Sequence, residues 1–158
     1  MTHRLTRTTV LPGTLTHVFE FFKNPRNLEA ITPQWLAFRI VSTTDETVRE
    51  GTRIRYRLRL FGIPLAWESR ITEYVEDTGD SHFADEQVTG PYAQWYHRHL
   101  FRQLPEGVGM TDDVEYRLPF GPLGRIVHWL VVRHQLRAIF DYRTAVIVQR
   151  FPTTRPTI

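Results

Sequence analysis

The chain has 158 residues, 41% of them hydrophobic and 13% aromatic, with no cysteine and a formal net charge of +3. This length makes one domain with a sizeable core, and the absence of thiols excludes a disulfide framework, thiol catalysis and thiolate metal sites. Lys23 is the only lysine among 20 basic residues, and 17 acidic residues offset them, so the excess is too mild to indicate a nucleic-acid partner.

Taken in chain order, Leu5–Leu11 reads as a first strand, ended by Pro12-Gly13. Thr14 is a good N-cap for a short helix carrying Val18, Phe19 and Phe22 on one side. Asn24-Pro25 interrupts it, a second short helix runs through Leu28 to Ile31, and Thr32-Pro33 stops that one. Trp35–Val41 resumes as a strand, and Glu50-Gly51 turns the chain.

In Arg53–Leu60, Ile54, Tyr56, Leu58 and Leu60 alternate with four arginines, a strict period of two. Phe61-Gly62 is the two-residue loop of a hairpin. Pairing outward from it sets Leu58 opposite Leu65, Tyr56 opposite Trp67 and Arg55 opposite Glu68, which matches apolar with apolar and charge with opposite charge. The row Arg53, Arg55, Arg57 and Arg59 reads as the solvated face of a half-exposed antiparallel sheet, with an anion-binding stripe as the alternative.

Strands follow at Ser81–Gln87, Tyr92–Leu104 and Met110–Leu118, the last two joined through Pro105-Glu106-Gly107. From Leu123 to Val148 a long helix is expected, with Ile126, Leu130, Leu136, Ile139, Phe140 and Ile147 at helical spacing. No repeat or linker divides the chain, so residues 1–150 form one domain and 151–158 a flexible tail. No stretch approaches the roughly 20 apolar residues of a membrane span, and a cytoplasmic location is expected.

Alternation also selects the residues that face inward. Trp95, His97, His99 and Phe101 share one face of their strand, and Met110, Asp112, Val114 and Tyr116 share the matching face of the next. Pairing across the turn sets Phe101 opposite Asp112, His99 opposite Val114 and His97 opposite Tyr116. A carboxylate diagonal to an imidazole fixes its tautomer and raises its basicity.

Three readings of His97, His99 and Asp112 stay open: a hydrogen-bonded structural network, general acid–base catalysis, or a metal triad. Asp85 and Gln87 share a face with Phe83 and form a second inward pair, costly unless partnered. Arg143 falls near the middle of the helix's apolar arc and Arg133 near its edge. Arg143 either pairs with an inner Asp, holds a ligand carboxylate or enolate, or snorkels outward. Trp35, Tyr56, Trp67, Trp95 and Tyr116 supply ring walls, with Val114 and Phe140 as apolar wall. The sequence holds no phosphate-cradling glycine loop, serine nucleophile elbow or dinucleotide fingerprint.

The order of one strand, two short helices, a strand meander and a long C-terminal helix resembles the START-like superfamily, also called SRPBCC. The strings Pro25–Trp35 (PRNLEAITPQW), Phe61–Trp67 (FGIPLAW), Gly90–Phe101 (GPYAQWYHRHLF) and Met110–Phe120 (MTDDVEYRLPF) carry this likeness to its bacterial ligand-binding and polyketide-cyclase-like branch. The resemblance implies an α+β helix-grip fold, in which a curved antiparallel sheet of about seven strands wraps a long C-terminal helix.

It implies a small, largely apolar ligand or substrate in an interior pocket and does not imply a metal; with no cofactor motif in the sequence, catalysis would be cofactor-free acid–base cyclisation or dehydration. The alternative it leaves is a non-catalytic lipid or isoprenoid carrier or sensor. No nucleic acid is expected as partner, and a homodimer is allowed.

Overall fold

Period-two alternation builds most of the molecule, because successive side chains of an extended chain point to opposite faces. The computed structural model describes residues 1–152. Its strands are β1 (His3–Leu11), β2 (Arg39–Thr43), β3 (Arg53–Leu60), β4 (Ile63–Val75), β5 (Asp80–Thr89), β6 (Gln94–Leu104) and β7 (Gly107–Arg117). They form one antiparallel sheet in the order β1-β7-β6-β5-β4-β3-β2. The meander from β2 to β7 is closed by β1, which returns alongside β7.

The β3–β4 hairpin has the expected register, with Leu58 opposite Leu65, Tyr56 opposite Trp67 and Arg55 opposite Glu68. Phe61 and Gly62 both take positive φ, 51° and 79°, as a primed hairpin turn requires. On the outer face, Glu68 accepts from Arg53 Nε at 2.6 Å and from Arg55 Nε at 2.9 Å. The arginine row is thus the sheet's outer face, half of it already paired.

The β6–β7 register differs from expectation by two residues. His99 lies opposite Asp112, His97 opposite Val114 and Trp95 opposite Tyr116. The turn holds only Pro105 and Glu106, since Gly107 already pairs with Leu104. A slip of two preserves the faces, so the same side chains point inward while the pairs they form change.

Helices α1 (Leu15–Lys23) and α2 (Asn27–Ala30) follow β1. Thr14 Oγ1 accepts from His17 N–H at 3.4 Å, the cap expected of it. Leu15, Val18, Phe19 and Phe22 bury one face of α1 against Phe83, Phe101, Met110 and Ile147. Trp35 is not in a strand. A 3-10 turn spans Gln34–Leu36, and Ala37 then adopts left-handed backbone (φ 44°) before β2 starts. Trp35 is consequently exposed, edge-on to Tyr142, and lines no cavity.

The long C-terminal helix runs as α3 (Gly121–Val127), a π-helical turn (His128–Val132) and α4 (Arg133–Arg150). Leu136, Phe140, Arg143 and Ile147 form its buried line. Ile126 and Leu130, expected on the same line, are exposed. A π turn closes i→i+5 bonds and so rotates what precedes it relative to an α-helical projection. Phe151, expected in a loose tail, is buried against α1 beside Phe21 and His17. The remainder of that expected tail, residues 153–158, lies outside the described residues.

Candidate functional site

The inner face of β5–β7 and the buried line of α4 meet around a cavity of about 200 Å³. Its polar end is built from four ionisable side chains. His97 and His99 come from β6, Asp85 from β5 and Arg143 from α4, and all four line the cavity. Asp112, on β7, stands behind the two rings. His97 Nε2 lies 2.9 Å from Asp112 Oδ1, and His99 Nε2 lies 3.1 Å from Asp85 Oδ2.

His99 Nδ1 approaches Asp112 Oδ1 at 3.2 Å without hydrogen-bond alignment, and His97 Nδ1 is 3.8 Å from Asp85 Oδ2. Arg143 Nη2 is 3.8 Å from Asp112 Oδ1, and its Nε has no partner. One donor atom from each of Asp85, His97 and His99 lies within 4.8 Å of the other two. Among the described residues, these three are the group whose placement suits a metal.

Burial opposes charge on the two carboxyls and the two imidazoles, and the neighbours decide which way each is shifted. Burial pushes the Asp112 carboxyl up, but Arg143 and both imidazoles outweigh it and hold the group well below the usual carboxylate range. Asp85 is likewise lowered, burial being outweighed by the His99 hydrogen bond and the charges of both rings. Burial and the neighbouring His99 outweigh the two carboxylates and depress His97. For His99 burial acts downward too, yet the two Asp contacts prevail and raise it. The two imidazoles, 3.8 Å apart between ring centroids, are thus shifted in opposite directions by their surroundings.

Rings and aliphatics make the rest of the wall. Tyr56 stacks on Trp67 at 5.8 Å, and Trp95 meets Trp67 edge-on at 5.3 Å. Trp67 Nε1 donates to Ser69 Oγ at 3.1 Å, and Tyr56 Oη lies 3.1 Å from the same oxygen, so both rings keep their polar tips satisfied inside the sheet. Phe140 faces His97 edge-on at 5.6 Å.

Of the residues singled out from the sequence, Tyr56, Trp67, Asp85, Trp95, His97, His99, Phe140 and Arg143 line the cavity, and Asp112 backs it. Five others lie off its wall, Trp35 among them. Val114 is fully buried between Leu5, Tyr116, Leu136 and Phe140, so a larger residue there would overpack the core and not fill the cavity. Tyr116 turns its hydroxyl to His128 Nε2 at 2.9 Å, in the π turn.

Gln87 clamps the β5–β6 connection, its Nε2 donating to Tyr92 O at 2.8 Å and its Oε1 accepting from Tyr92 N–H at 3.2 Å. A Cβ on Gly90 would sit 2.4 Å from that Oε1, so a side chain there would displace the clamp. Arg133 is spread over Trp129 on the outside. Sequence reasoning missed Ser69, Tyr92, Leu136 and Ile139 on the wall. Alternation from Trp67 would have found Ser69, and helical spacing from Phe140 would have found Leu136.

The model of the family described as polyketide cyclase / dehydrase and lipid transport matches residues 11–140. The chain belongs to that family. No curated protein matches it. Among solved structures, a protein from Thermus thermophilus is similar at 16% identity and a TM-score of 0.67, covering 96% of this chain and 100% of its own.

Ginseng major latex-like protein 151 from Panax ginseng is similar at 15% identity and a TM-score of 0.64, with 96% and 99% covered. A point mutant of Thalictrum norcoclaurine synthase, in complex with a transition-state analogue, is similar at 12% identity and a TM-score of 0.62, with 95% and 96% covered. These likenesses establish the fold, a START-like helix grip. Among the described residues no helix is long and apolar enough to cross a membrane.

Proposed function

We propose that this protein binds a small, largely apolar, ring-bearing molecule in the cavity, with one anionic or enolic oxygen directed at Arg143 and His99. The observation that carries this is the cavity's polarity gradient: the contacting rings of Tyr56, Trp67 and Trp95 on one side, and a buried His–Asp–Arg cluster on the other. Apolar wall with a few convergent polar groups is the general form of a small-molecule site. The family description and the ligand-bearing synthase of the same fold point the same way.

Size narrows the ligand. A closed cavity of about 150 Å³ holds benzene, and this one, at about 200 Å³ and partly open, has room for a molecule of one or two rings. In the chemical reading, His99 releases the Nε2 proton from its contact with Asp85 to the developing oxygen while Asp112 holds the Nδ1 side of the ring, and Arg143 balances the charge. A carrier has no need to bury four ionisable groups at such cost. We place this activity in the cytoplasm.

Titration with an anionic naphthalene fluorophore tests the binding. Affinity is expected at roughly micromolar level for a preformed pocket. Ile139→Trp should fill the cavity and abolish binding while the melting temperature holds. Unchanged affinity in that variant would place the site elsewhere.

A further inference from the structure

We infer that Asp85, His97 and His99 form a site for one divalent transition-metal ion at the polar end of the cavity. The inference rests on side-chain geometry and needs no organic ligand, so it goes beyond the binding proposal. The donor atoms are already gathered: His99 Nε2 and Asp85 Oδ2 are 3.1 Å apart, His97 Nδ1 and the same Oδ2 are 3.8 Å apart, and all three fall within 4.8 Å. Zinc holds nitrogen and oxygen at about 2.0–2.2 Å, which sets ligand–ligand distances near roughly 3–3.5 Å. Only small side-chain shifts separate the observed cluster from that geometry.

The second observation concerns the other nitrogen of each ring. Metal-bound imidazoles donate their remote N–H to a carboxylate, which fixes tautomer and ring orientation. Here His97 Nε2 and His99 Nδ1 both face Asp112 Oδ1, at 2.9 and 3.2 Å. His99 Nδ1 is buried without a hydrogen-bond partner in the present geometry. A slight turn of the ring onto an ion would align it with Asp112.

Asp112 therefore stands behind the ligands. The triad read from the sequence had it as the metal-binding carboxylate, and the geometry gives that place to Asp85. Arg143, 3.8 Å from Asp112, offsets one of the two carboxylates.

The donor set also selects the ion. Two imidazoles and one carboxylate suit first-row transition ions, whereas calcium and magnesium require more oxygen. All three donors line the cavity, so remaining coordination positions would open onto it, as in sites that keep a place for water or substrate. The ion would stand between His99 Nε2 and Asp85 Oδ2, so His99 serves either as its ligand or as a proton donor to a bound molecule, not as both at once.

The test is titration of chelator-treated protein with Zn²⁺ by calorimetry and with Co²⁺ by visible absorption. One ion per chain is expected, with ligand-field bands in the Co²⁺ form. Asp85→Asn and His99→Ala should each abolish uptake, and Asp112→Asn should keep the stoichiometry at affinity about 10–100-fold weaker. Circular dichroism checks folding. If His99→Ala unfolds, the nearly isosteric Asp85→Asn still decides.

No uptake by the wild type, or equal uptake by Asp85→Asn, overturns the inference. Titrating the naphthalene fluorophore into chelated and Zn²⁺-loaded protein separates the two claims. Fluorophore binding without ion uptake sinks the metal site alone, and ion uptake without fluorophore binding sinks the organic-ligand reading alone.

Discussion

Asp112 and Asp113 are neighbours in sequence and do opposite work, because consecutive residues of a strand face opposite ways. Asp112 enters the site, while Asp113 accepts from Arg4 Nε at 2.6 Å, Arg4 Nη2 at 2.7 Å and Thr6 Oγ1 at 3.1 Å on the outer face, and pairs with Arg98. Those partners lower Asp113 from 3.8 to about 2. A depressed carboxylate binds fewer protons folded than unfolded, so its contribution is present above about pH 4 and fades as pH falls through about 2. With Arg4 and Arg98 open to solvent, the contribution is discounted to about 1 kcal/mol. Asp113→Asn should therefore melt lower than wild type at pH 6 and converge with it near pH 2, as thermal melts across that range will show.

The β3–β4 hairpin shows how far an element can be predicted and where it stores strain. Gly62 has φ 79° with open space where a Cβ would be, so Gly62→Ala should cost about 1 kcal/mol through backbone conformation alone. Phe61 is exposed and also left-handed, at φ 51°. Asparagine tolerates that conformation better, and Phe61→Asn should stabilise by about 0.5–1 kcal/mol, read as a shifted denaturant midpoint at constant slope. The long helix was legible as helix but not as to which residues it buries. Its π turn breaks the single angular template that placed Ile126 and Leu130 with Leu136 and Phe140.

At the scale of the whole molecule, the charge distribution is one of faces. The sheet's outer side carries Arg53, Arg55, Arg57 and Arg59, two of them engaged by Glu68, while Arg4, Arg98 and Arg102 are likewise paired with acids. Paired arginines release few counterions on meeting a polyanion. Fluorescence anisotropy with labelled duplex DNA should show no binding at physiological salt. A salt-dependent signal lost on replacing Arg57 and Arg59 would restore the anion-stripe reading.

The alternation of Arg53–Leu60, the N-cap at Thr14 and the uninterrupted run before Arg150 were enough to read the sheet, its inner face and the closing helix. These are local properties, because side-chain direction in a strand or helix follows from backbone period alone. The pairing of His99 with Asp85, the retreat of Asp112 behind both rings and the departure of Gln87, Val114 and Tyr116 from the cavity wall were not legible. An inter-strand slip of two leaves every residue on the same face and so gives no signal in the pattern. Which nitrogen meets which carboxylate depends on that register, on the curvature of β5–β7 and on how deep α4 sets Arg143, and those are decided only when the sheet packs against the helix.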